Sequence, residues 1–420
     1  MSKRTKLSFT TLTLIGLLLG TITGVLIHSF LADGFIKDTL LINGVFYVIG
    51  NGFIALMKML VMPLIFASII TGTIAIGDTR RLGRIGGKTI AFYLSTTAFA
   101  IVIAIGVANF FDPGVGLDMS SLAVSEYTVS ERVPFTEVIL DMIPSNIFAS
   151  LTNGDVIPVI VFAVLIGISI TTLDQDRESV VAKFFVEFND VMMSLTSLVM
   201  KAAPIGVFCL VAKTFATLGF EAIFSLLLYM VSVLVGLGVH LVVVYMGIFF
   251  IFTKKSPIQF FKKFSSVMMF AFSVSSSNAT IPINIETLEE NIGVSRKISS
   301  FTIPLGATIN MDGTAIMQGV AVVFTAQAFG VQLTAYDYLL VIATATLASI
   351  GTAGVPGVGL VMLSMVLTAV GLPVEAIGII MGVDRILDMT RTSINVAGDA
   401  ICTTIIAKQE GEWNEEVFDN

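Results

Sequence analysis

Reactive and metal-binding side chains are scarce in this 420-residue sequence. It contains two cysteines, Cys209 and Cys402, and two histidines, His28 and His240, and none of the spacings typical of zinc, haem or iron–sulfur sites. We interpret all four as helix-packing residues, and the two histidines are poorly placed to form a proton relay. No glycine-rich phosphate loop follows a strand, and no large soluble domain is evident, which argues against an ATP-driven pump.

Charge is also scarce, because charged residues make up 13% of the chain and hydrophobic residues 55%. A soluble domain of this length would carry about a quarter charged residues. Several apolar runs of roughly twenty residues are long enough to cross a bilayer. The composition therefore predicts an all-α polytopic membrane protein.

The few charges are unevenly distributed. Basic residues cluster in the N-terminal MSKRTK and in the connections at 80–88 and 254–263, whereas 110–155 holds seven acids and one base. Because basic loops favour the cytoplasm, we expect a cytoplasmic N-terminus and an external acidic loop. The first apolar stretch is too long for a signal-peptide core, so we expect it to remain as a helix in the plasma membrane.

Six hydrophobic stretches in the first part of the chain predict membrane-spanning helices, some of them tilted. They are 9–31, 45–77, 89–111, 157–173, 188–216 and 221–253. The segments 81–87 and 112–156 are predicted loops, and the mildly apolar part 135–155 is compatible with short helical pieces.

Two later uncharged segments, 264–285 and 338–374, have polar or glycine-rich middles, SVSSSNATIPI and SIGTAGVPGVG. Glycine and proline oppose a continuous helix. Irregular backbone at membrane depth survives only inside protein or beside a watery cavity. We therefore predict two re-entrant hairpins; two kinked spanning helices are the alternative.

Each predicted hairpin precedes a helix with buried polar groups, 297–326 after the first and 377–407 after the second. Two copies of hairpin plus helix indicate an inverted repeat. Secondary transporters commonly use this plan, with broken segments that meet near the middle of the membrane.

The last predicted helix carries five polar residues on one face. Asp384, Asp388, Arg391, Asn395 and Asp399 are separated by 4, 3, 4 and 4 positions. Charges within a spanning helix are costly and usually face a cavity or each other. A structural Asp388–Arg391 bridge would explain one pair but not the remaining polar residues.

The arginine and its neighbouring aspartate suit an amino acid ligand. Arg391 offers a planar fork that binds a carboxylate through two hydrogen bonds. Asp388, one turn away, can bind an ammonium group. Backbone N–H groups at the hairpin tips can bind a second carboxylate.

The other buried carboxylates suit a hard cation. Asp312 lies in GATINMDGTA (306–315), where we expect unwound backbone near Gly306 and Gly313. Carboxylate and amide oxygens are ligands that suit sodium, and the candidates are Asp312, Asp399, Asn310 and Asn395. A buried carboxylate that carries a proton is the alternative.

Four motifs in order resemble the dicarboxylate/amino acid:cation symporters, the glutamate transporter family. They are SSSNATIP, TINMDGT, SIGTAGVPG and DMTRTSINVAGD, and KAAPIGVF and FYLSTTAFA also fit, so the likeness covers nearly the whole chain. The resemblance implies eight transmembrane helices plus two re-entrant hairpins, inverted repeats, and a lipid-embedded homotrimer with an elevator-type mechanism. It implies no enzyme activity, no organic cofactor and no nucleic-acid partner.

The resemblance also divides the chain. Residues 1–255 would hold helices one to six, of which one, two, four and five form the trimerisation scaffold and three and six join the transport domain. Residues 256–410 would form the transport core with both hairpins and the last two helices, and 411–420 a C-terminal tail. The second hairpin is expected to act as the outer gate.

The resemblance assigns roles to single residues. In the substrate pocket, Arg391 would bind the side-chain carboxylate, Asp388 the amino group, and Asn395 with the backbone of Ser276 and Ser277 the α-carboxylate, beside the lining residues Thr314, Val355, Gly359 and Thr392. One sodium site would use Asp399, Asn395 and the carbonyls of Gly306 and Asn310. A second would use Thr308, Ser349, Ile350 and Thr352, and a third Tyr93, Thr96, Thr97, Asn310 and Asp312.

The sequence departs from some members at the first hairpin tip, where Ser275 replaces an arginine that archaeal members often carry. Arg385 either serves the purpose of that arginine or faces the inner aqueous side. The presence of both Asp388 and Arg391 favours aspartate or glutamate as the substrate. We therefore expect sodium-coupled symport of acidic amino acids.

Other functions remain open at this point. They are proton-coupled uptake of acidic amino acids or C4-dicarboxylates, and sodium-coupled neutral amino acid transport. An intramembrane aspartyl protease is disfavoured, because Tyr336-Asp337 lies at a helix edge and the sequence has no Gly-x-Gly-Asp. A passive channel would differ by failing to accumulate solute against a gradient.

Overall fold

The computed structural model describes residues 9–77, 83–117, 119, 143–153, 156–173, 175–218, 221–349 and 358–419. These residues are almost entirely helical, and the β-bridge they contain joins Val294 to Trp413. The all-α class is therefore confirmed for this part of the chain.

The part of the chain before residue 254 consists of consecutive helices. They are α1 (Phe9–Phe30), α2 (Tyr47–Gly77), α3 (Gly83–Phe111), α4 (Ile147–Asn153), α5 (Val156–Thr171), α6 (Gln175–Met200), α7 (Ala203–Leu218), α8 (Glu221–Val239) and α9 (Met246–Thr253). A π-helix, Phe35–Phe46, leads into α2, and a second, His240–Tyr245, joins α8 to α9.

The remaining helices form the C-terminal part. They are α10 (Pro257–Val274), α11 (Ser277–Thr287), α12 (Arg296–Ile309), α13 (Asp312–Ala328), α14 (Ala335–Ser349), α15 (Val358–Ala369), α16 (Ile377–Gln409) and α17 (Glu415–Asp419). A π-helical turn, Leu288–Ile292, extends α11, and a 3₁₀ turn, Val374–Ala376, precedes α16.

Most of the predicted spans coincide with helices, but 188–216 does not form one. It is divided between α6 and α7, and the break lies at Lys201–Ala202. Pro204 follows the break, and a proline is tolerated in the first turn of a helix but not in its interior. The predicted loop 81–87 is also too long, because α3 begins at Gly83. Within 135–155, α4 is the expected short helical piece.

Among the described residues, three helical segments are long and apolar enough to cross a membrane: Phe35–Leu56, Arg84–Phe111 and Ile223–Thr253. Shorter apolar helices accompany them. Large apolar side chains are exposed on the outer surface, including Phe30 and Phe110, which are 80% and 81% exposed. Lipid chains can cover such a surface where water would not.

The first predicted hairpin is a pair of helices that pack against each other, α10 and α11. The chain turns at Ser275, which has a left-handed conformation with φ of 51°, and Ser276 caps α11 by accepting a hydrogen bond from Ala279 N at 3.3 Å. In the second predicted hairpin, α14 packs against α15. Its tip, 350–357, lies outside the described residues.

The predicted helix 297–326 is interrupted, because α12 ends at Ile309 and α13 begins at Asp312. The non-helical residues are Asn310 and Met311. The unwinding expected near Gly306 and Gly313 therefore lies between the two glycines, which themselves belong to the flanking helices.

These two glycines permit close approach instead. A Cβ on Gly306 would collide with Oδ1 of Asp399, and one on Gly313 would lie 2.8 Å from the carbonyl oxygen of Arg391.

The last long helix, α16, lies at the centre of this arrangement. It packs against α10, α12 and α13, and against α3 and α8 from the N-terminal part. Most of its residues from Ile377 to Ala407 are buried, including its polar ones. A helix surrounded by protein on all sides can therefore present ionic groups to an interior site.

The chain after α16 is packed as well. Phe418 in α17 is fully buried, and its ring lies 5.4 Å from that of Trp413. Trp413 Nε1 donates to Ile292 O at 2.7 Å, and Gln259 Nε2 donates to Phe418 O at 2.7 Å. The segment predicted as a tail thus binds the start of α10 and the end of the turn that extends α11.

Candidate transport site

The predicted face of α16 is buried along its whole length. Asp384, Asp388, Arg391, Asn395 and Asp399 are all at most 8% exposed. Shared contacts place them on one side of the helix: Arg391 binds Asp384 and Asp388, and Asn310 Nδ2 binds both the Asn395 carbonyl and Asp399.

Arg391 is bound by two aspartates of its own helix. Its Nη1 donates to Asp384 Oδ1 at 2.6 Å and its Nη2 to Asp388 Oδ1 at 2.8 Å. The sequence predicted the Asp388 pair but not the bond to Asp384. Arg391 Nε is buried and has no partner among the described residues. A guanidinium has five N–H groups, so donors remain for an anionic ligand.

Arg385 turns towards the same site. Its Nη1 lies 3.4 Å from Asp388 Oδ2, and its side chain is 11% exposed. Of the two alternatives for this residue, the structure supports a role beside Asp388. Asp388 therefore lies between two arginines, which balance its charge and that of Asp384.

Three other predicted pocket residues lie near the Arg391–Asp388 pair. A Cβ on Gly359 would lie 3.1 Å from Thr314 Cγ2 and 3.4 Å from Arg391 Nη2. Thr392 uses its hydroxyl to donate to the Asp388 carbonyl at 2.8 Å. The structure thus brings Gly359, Thr314 and Thr392 to the ion-paired group. Val355 lies outside the described residues.

Asn395 connects α16 to the interrupted helix. Its Oδ1 accepts from Gly313 N at 2.7 Å, and its carbonyl oxygen accepts from Asn310 Nδ2 at 2.9 Å. The predicted contact of Asn395 with a ligand held by Ser276 and Ser277 stays a prediction. Ser276 caps α11 and Ser277 is buried.

The first predicted sodium site is assembled at the interruption. Asn310 Nδ2 also donates to Asp399 Oδ1 at 2.9 Å, and Gly306 lies against that carboxylate. Asn310 Oδ1 is buried and has no hydrogen-bond partner among the described residues. An unpaired buried carbonyl oxygen beside a buried carboxylate fits a hard cation.

The second predicted sodium site is seen only in part. Thr308 Oγ1 donates to Leu305 O at 2.8 Å and Ser349 Oγ to Thr346 O at 2.7 Å, both within their own helices. Ile350 and Thr352 lie outside the described residues.

The third predicted sodium site surrounds Asp312, which is fully buried. Thr97 Oγ1 donates to Asp312 Oδ1 at 2.6 Å. Thr96 Oγ1 donates to the Tyr93 carbonyl within α3 at 3.1 Å, and Thr97 Oγ1 also lies 2.8 Å from that carbonyl. The structure therefore brings Thr97 to the predicted carboxylate, and Tyr93 and Thr96 lie within one turn of Thr97 in α3.

Two residues that the sequence analysis did not assign to this site also bind Asp312. His240 Nε2 lies 3.0 Å from Oδ2, and the Tyr245 hydroxyl donates to Oδ2 at 2.8 Å. The interpretation of His240 as a packing residue was therefore wrong. His28 is exposed in α1, and its Nδ1 lies 3.1 Å from Ala216 O in α7.

The sequence of this chain is similar to those of known symporters along most of its length. A profile of the sodium:dicarboxylate symporter family matches residues 9–409. The "Proton/glutamate-aspartate symporter" of Escherichia coli K12 is 35% identical over 412 residues, which is 95% of this chain and 93% of that protein. The "Proton/sodium-glutamate symport protein" of Geobacillus stearothermophilus is 35% identical over 378 residues, 88% of each chain. An "Excitatory amino acid transporter" of Caenorhabditis elegans is 37% identical over 397 residues, 84% of this chain and 78% of that one.

Proposed function

Because the chain belongs to the sodium:dicarboxylate symporter family, we propose that it couples sodium entry to uptake of L-aspartate or L-glutamate across the plasma membrane. The observation that carries this proposal is a buried arginine, Arg391, whose Nε has no partner among the described residues, beside the buried aspartate Asp388. Arg391 binds a carboxylate and Asp388 binds an ammonium group. A ligand that carries both groups is an amino acid. The C. elegans and bacterial relatives are named as transporters of such substrates.

The second carboxylate of the substrate needs further donors. Two of the five N–H groups of Arg391 bind aspartates, so its remaining groups take the side-chain carboxylate of the substrate. Asn395 and the backbone of Ser276 and Ser277 take the α-carboxylate. Neutral amino acids would leave the Arg391 donors unpaired, which disfavours them as substrates.

Sodium is the coupled ion in this proposal. Asp399, Asn395 and the carbonyls of Gly306 and Asn310 bind one ion, and the unpaired Asn310 Oδ1 supports a cation there. Tyr93, Thr96, Thr97, Asn310 and Asp312 bind another, and Thr308, Ser349, Ile350 and Thr352 a third. The carboxylates supply negative charge inside the protein, which a sodium ion compensates.

Transport occurs by an elevator movement of one part of each protomer within a trimer. Helix packing supports the division into a scaffold and a transport domain. The helix α1 packs closely on α7 and α2 packs on α5 and α6, whereas α3 and α8 pack on α13 and α16. This packing supports a scaffold made of the N-terminal spans one, two, four and five. Both hairpins move with the last two helices, and the second hairpin opens the site to the outside.

Proton coupling is the second candidate, because the E. coli relative is named as a proton symporter. In that case the same carboxylates carry protons in place of sodium. The substrate site would be unchanged, so the two candidates differ only in the ion that drives accumulation.

Uptake of labelled L-aspartate into proteoliposomes tests both candidates. A sodium gradient and a proton gradient are imposed separately, and L-glutamate, succinate and L-serine compete in parallel. Accumulation with sodium alone, inhibited by L-glutamate and not by L-serine, supports the proposal. Accumulation driven by protons alone selects the second candidate. Inhibition by succinate as strong as by L-aspartate would identify a dicarboxylate carrier.

A further inference from the structure

A π-helical turn places His240 and Tyr245 on the same side of their segment. Residues 240–245 form this turn between α8 and α9. In an α-helix, residues five positions apart point about 140° away from each other. In a π-helix residue i+5 comes close to residue i. Here the rings of His240 and Tyr245 are 4.6 Å apart and edge-on. Single π-helical turns often occur at functional sites.

The two side chains bind one oxygen of Asp312. His240 Nε2 and the Tyr245 hydroxyl lie 3.0 and 2.8 Å from Oδ2. Thr97 binds the other oxygen, Oδ1, at 2.6 Å. Three donors from two segments therefore fix the orientation of this carboxylate, and the π-helical turn supplies two of them.

His240 is fully buried, and its second nitrogen, Nδ1, has no partner among the described residues. A buried polar atom without a partner destabilises the folded protein. A phenylalanine would fill the same space without that cost. The imidazole is thus better explained by its contact with Asp312 than by packing.

We propose that His240 is a positioning residue for Asp312, which it holds in the orientation that binds sodium. Nε2–H donates to Oδ2, so that the carboxylate keeps its lone pairs directed at the ion. The nitrogen itself is not a ligand, because it faces the carboxylate and sodium favours oxygen. This inference rests on the proposed sodium coupling and deepens it.

Two amide variants test the contact with matched polarity. In His240→Gln the amide nitrogen reaches the place of Nε2, whereas in His240→Asn it ends one bond short. Tyr229→Phe is the control, because Tyr229 lies in α8, is fully buried, and its hydroxyl has no partner among the described residues. The readouts are the half-saturating sodium concentration and the maximal rate of L-aspartate uptake, each corrected for folded protein.

His240→Asn is expected to raise the half-saturating sodium concentration by about 10- to 100-fold, the range seen when residues that orient metal ligands are changed. His240→Gln should recover most of this loss, and Tyr229→Phe should match the wild type. Tyr245→Phe, which removes the other donor to Oδ2, should shift the sodium dependence in the same direction as His240→Asn.

Two results would overturn the inference while leaving the proposed function intact. One is equal sodium dependence in His240→Asn and the wild type, with only the maximal rate lowered. The other is a similar shift in the Gln and Asn variants. Wild-type uptake without any sodium dependence would instead overturn the proposed function, and this inference with it.

Discussion

Arg391 and Asp384 form a buried ion pair across two turns of α16, with Nη1 and Oδ1 2.6 Å apart. Asp388 binds the other end of the guanidinium. The arginine is therefore fixed in its plane before any ligand arrives, and binding costs little side-chain entropy. The pair also keeps a positive charge compensated when the substrate is absent.

Asp384→Asn tests this fixing role. The amide keeps the shape of the side chain but removes its charge, so the guanidinium loses a charge-assisted hydrogen bond. We expect the Kd for L-aspartate at saturating sodium to rise by about tenfold or more. Titration calorimetry of the purified protein measures it. Asp33→Asn is the control, because the Asp33 side chain is 87% exposed and pairs with Lys37, four positions away. An unchanged Kd in Asp384→Asn would show that Asp388 alone positions the arginine.

Arg391→Lys tests the carboxylate clamp. Lysine keeps the charge that the two aspartates need, but it lacks the planar fork. We expect L-aspartate affinity to fall by at least about tenfold while sodium binding in the absence of substrate changes little. Arg391→Ala should abolish substrate binding, although it also leaves two buried carboxylates uncompensated.

Both variants are measured by substrate titration at saturating sodium, beside a sodium titration without substrate. Retained L-aspartate affinity in the lysine variant would contradict the clamp, because a point charge would then suffice. A parallel loss of sodium binding would indicate a damaged fold instead of a lost ligand contact.

Asp312→Asn tests the ion site. The amide can still accept from Thr97, but it contributes no charge to a cation site whose affinity depends on ligand charge. The half-saturating sodium concentration should rise by about tenfold or more. Asp112→Asn, at the residue that follows the C-terminal end of α3, is the control. A wild-type sodium titration curve in Asp312→Asn would remove this residue from the ion ligands.

Much of the site could be predicted from the sequence because its residues follow the helical period. The five polar residues of α16 share a face for that reason, and their shared hydrogen-bond partners show it. His240 and Tyr245 could not be found in this way, since their spacing of five separates them in an ordinary helix. Nothing in an apolar run of this composition distinguishes a π-helical turn.

The fold was predictable where hydropathy alone decides. The prediction from hydropathy failed at α6. The first half of this helix contains Lys183 and Glu187, so the chain before residue 188 resembled a loop. Hydropathy also predicted one continuous helix across α6 and α7, because Lys201 is a single charged residue in a long apolar run. The sequence predicted a break near Gly306 and Gly313, and the structure places it between them, at Asn310 and Met311.

Glu410, just after α16, joins that helix to α3. Its carboxylate accepts from Lys88 Nζ at 2.8 Å and from Arg84. The hydrogen bond from Lys88, followed by that from Arg84, lowers the pKa of Glu410 below its ordinary value of 4.5. A carboxyl whose pKa is lower in the folded protein stabilises the fold above its ordinary pKa. That stabilisation is lost as the pH falls through the folded pKa.

Glu410→Gln should therefore lower the thermal midpoint of the detergent-solubilised protein slightly at about pH 7, and the difference from the wild type should shrink towards about pH 3. Glu187→Gln, at an exposed position of α6, is the matched control. The midpoints are compared at both pH values in the same detergent. A difference that persists unchanged at the lower pH would mean that Glu410 acts through packing, because its ion pairs are absent once the carboxyl is protonated.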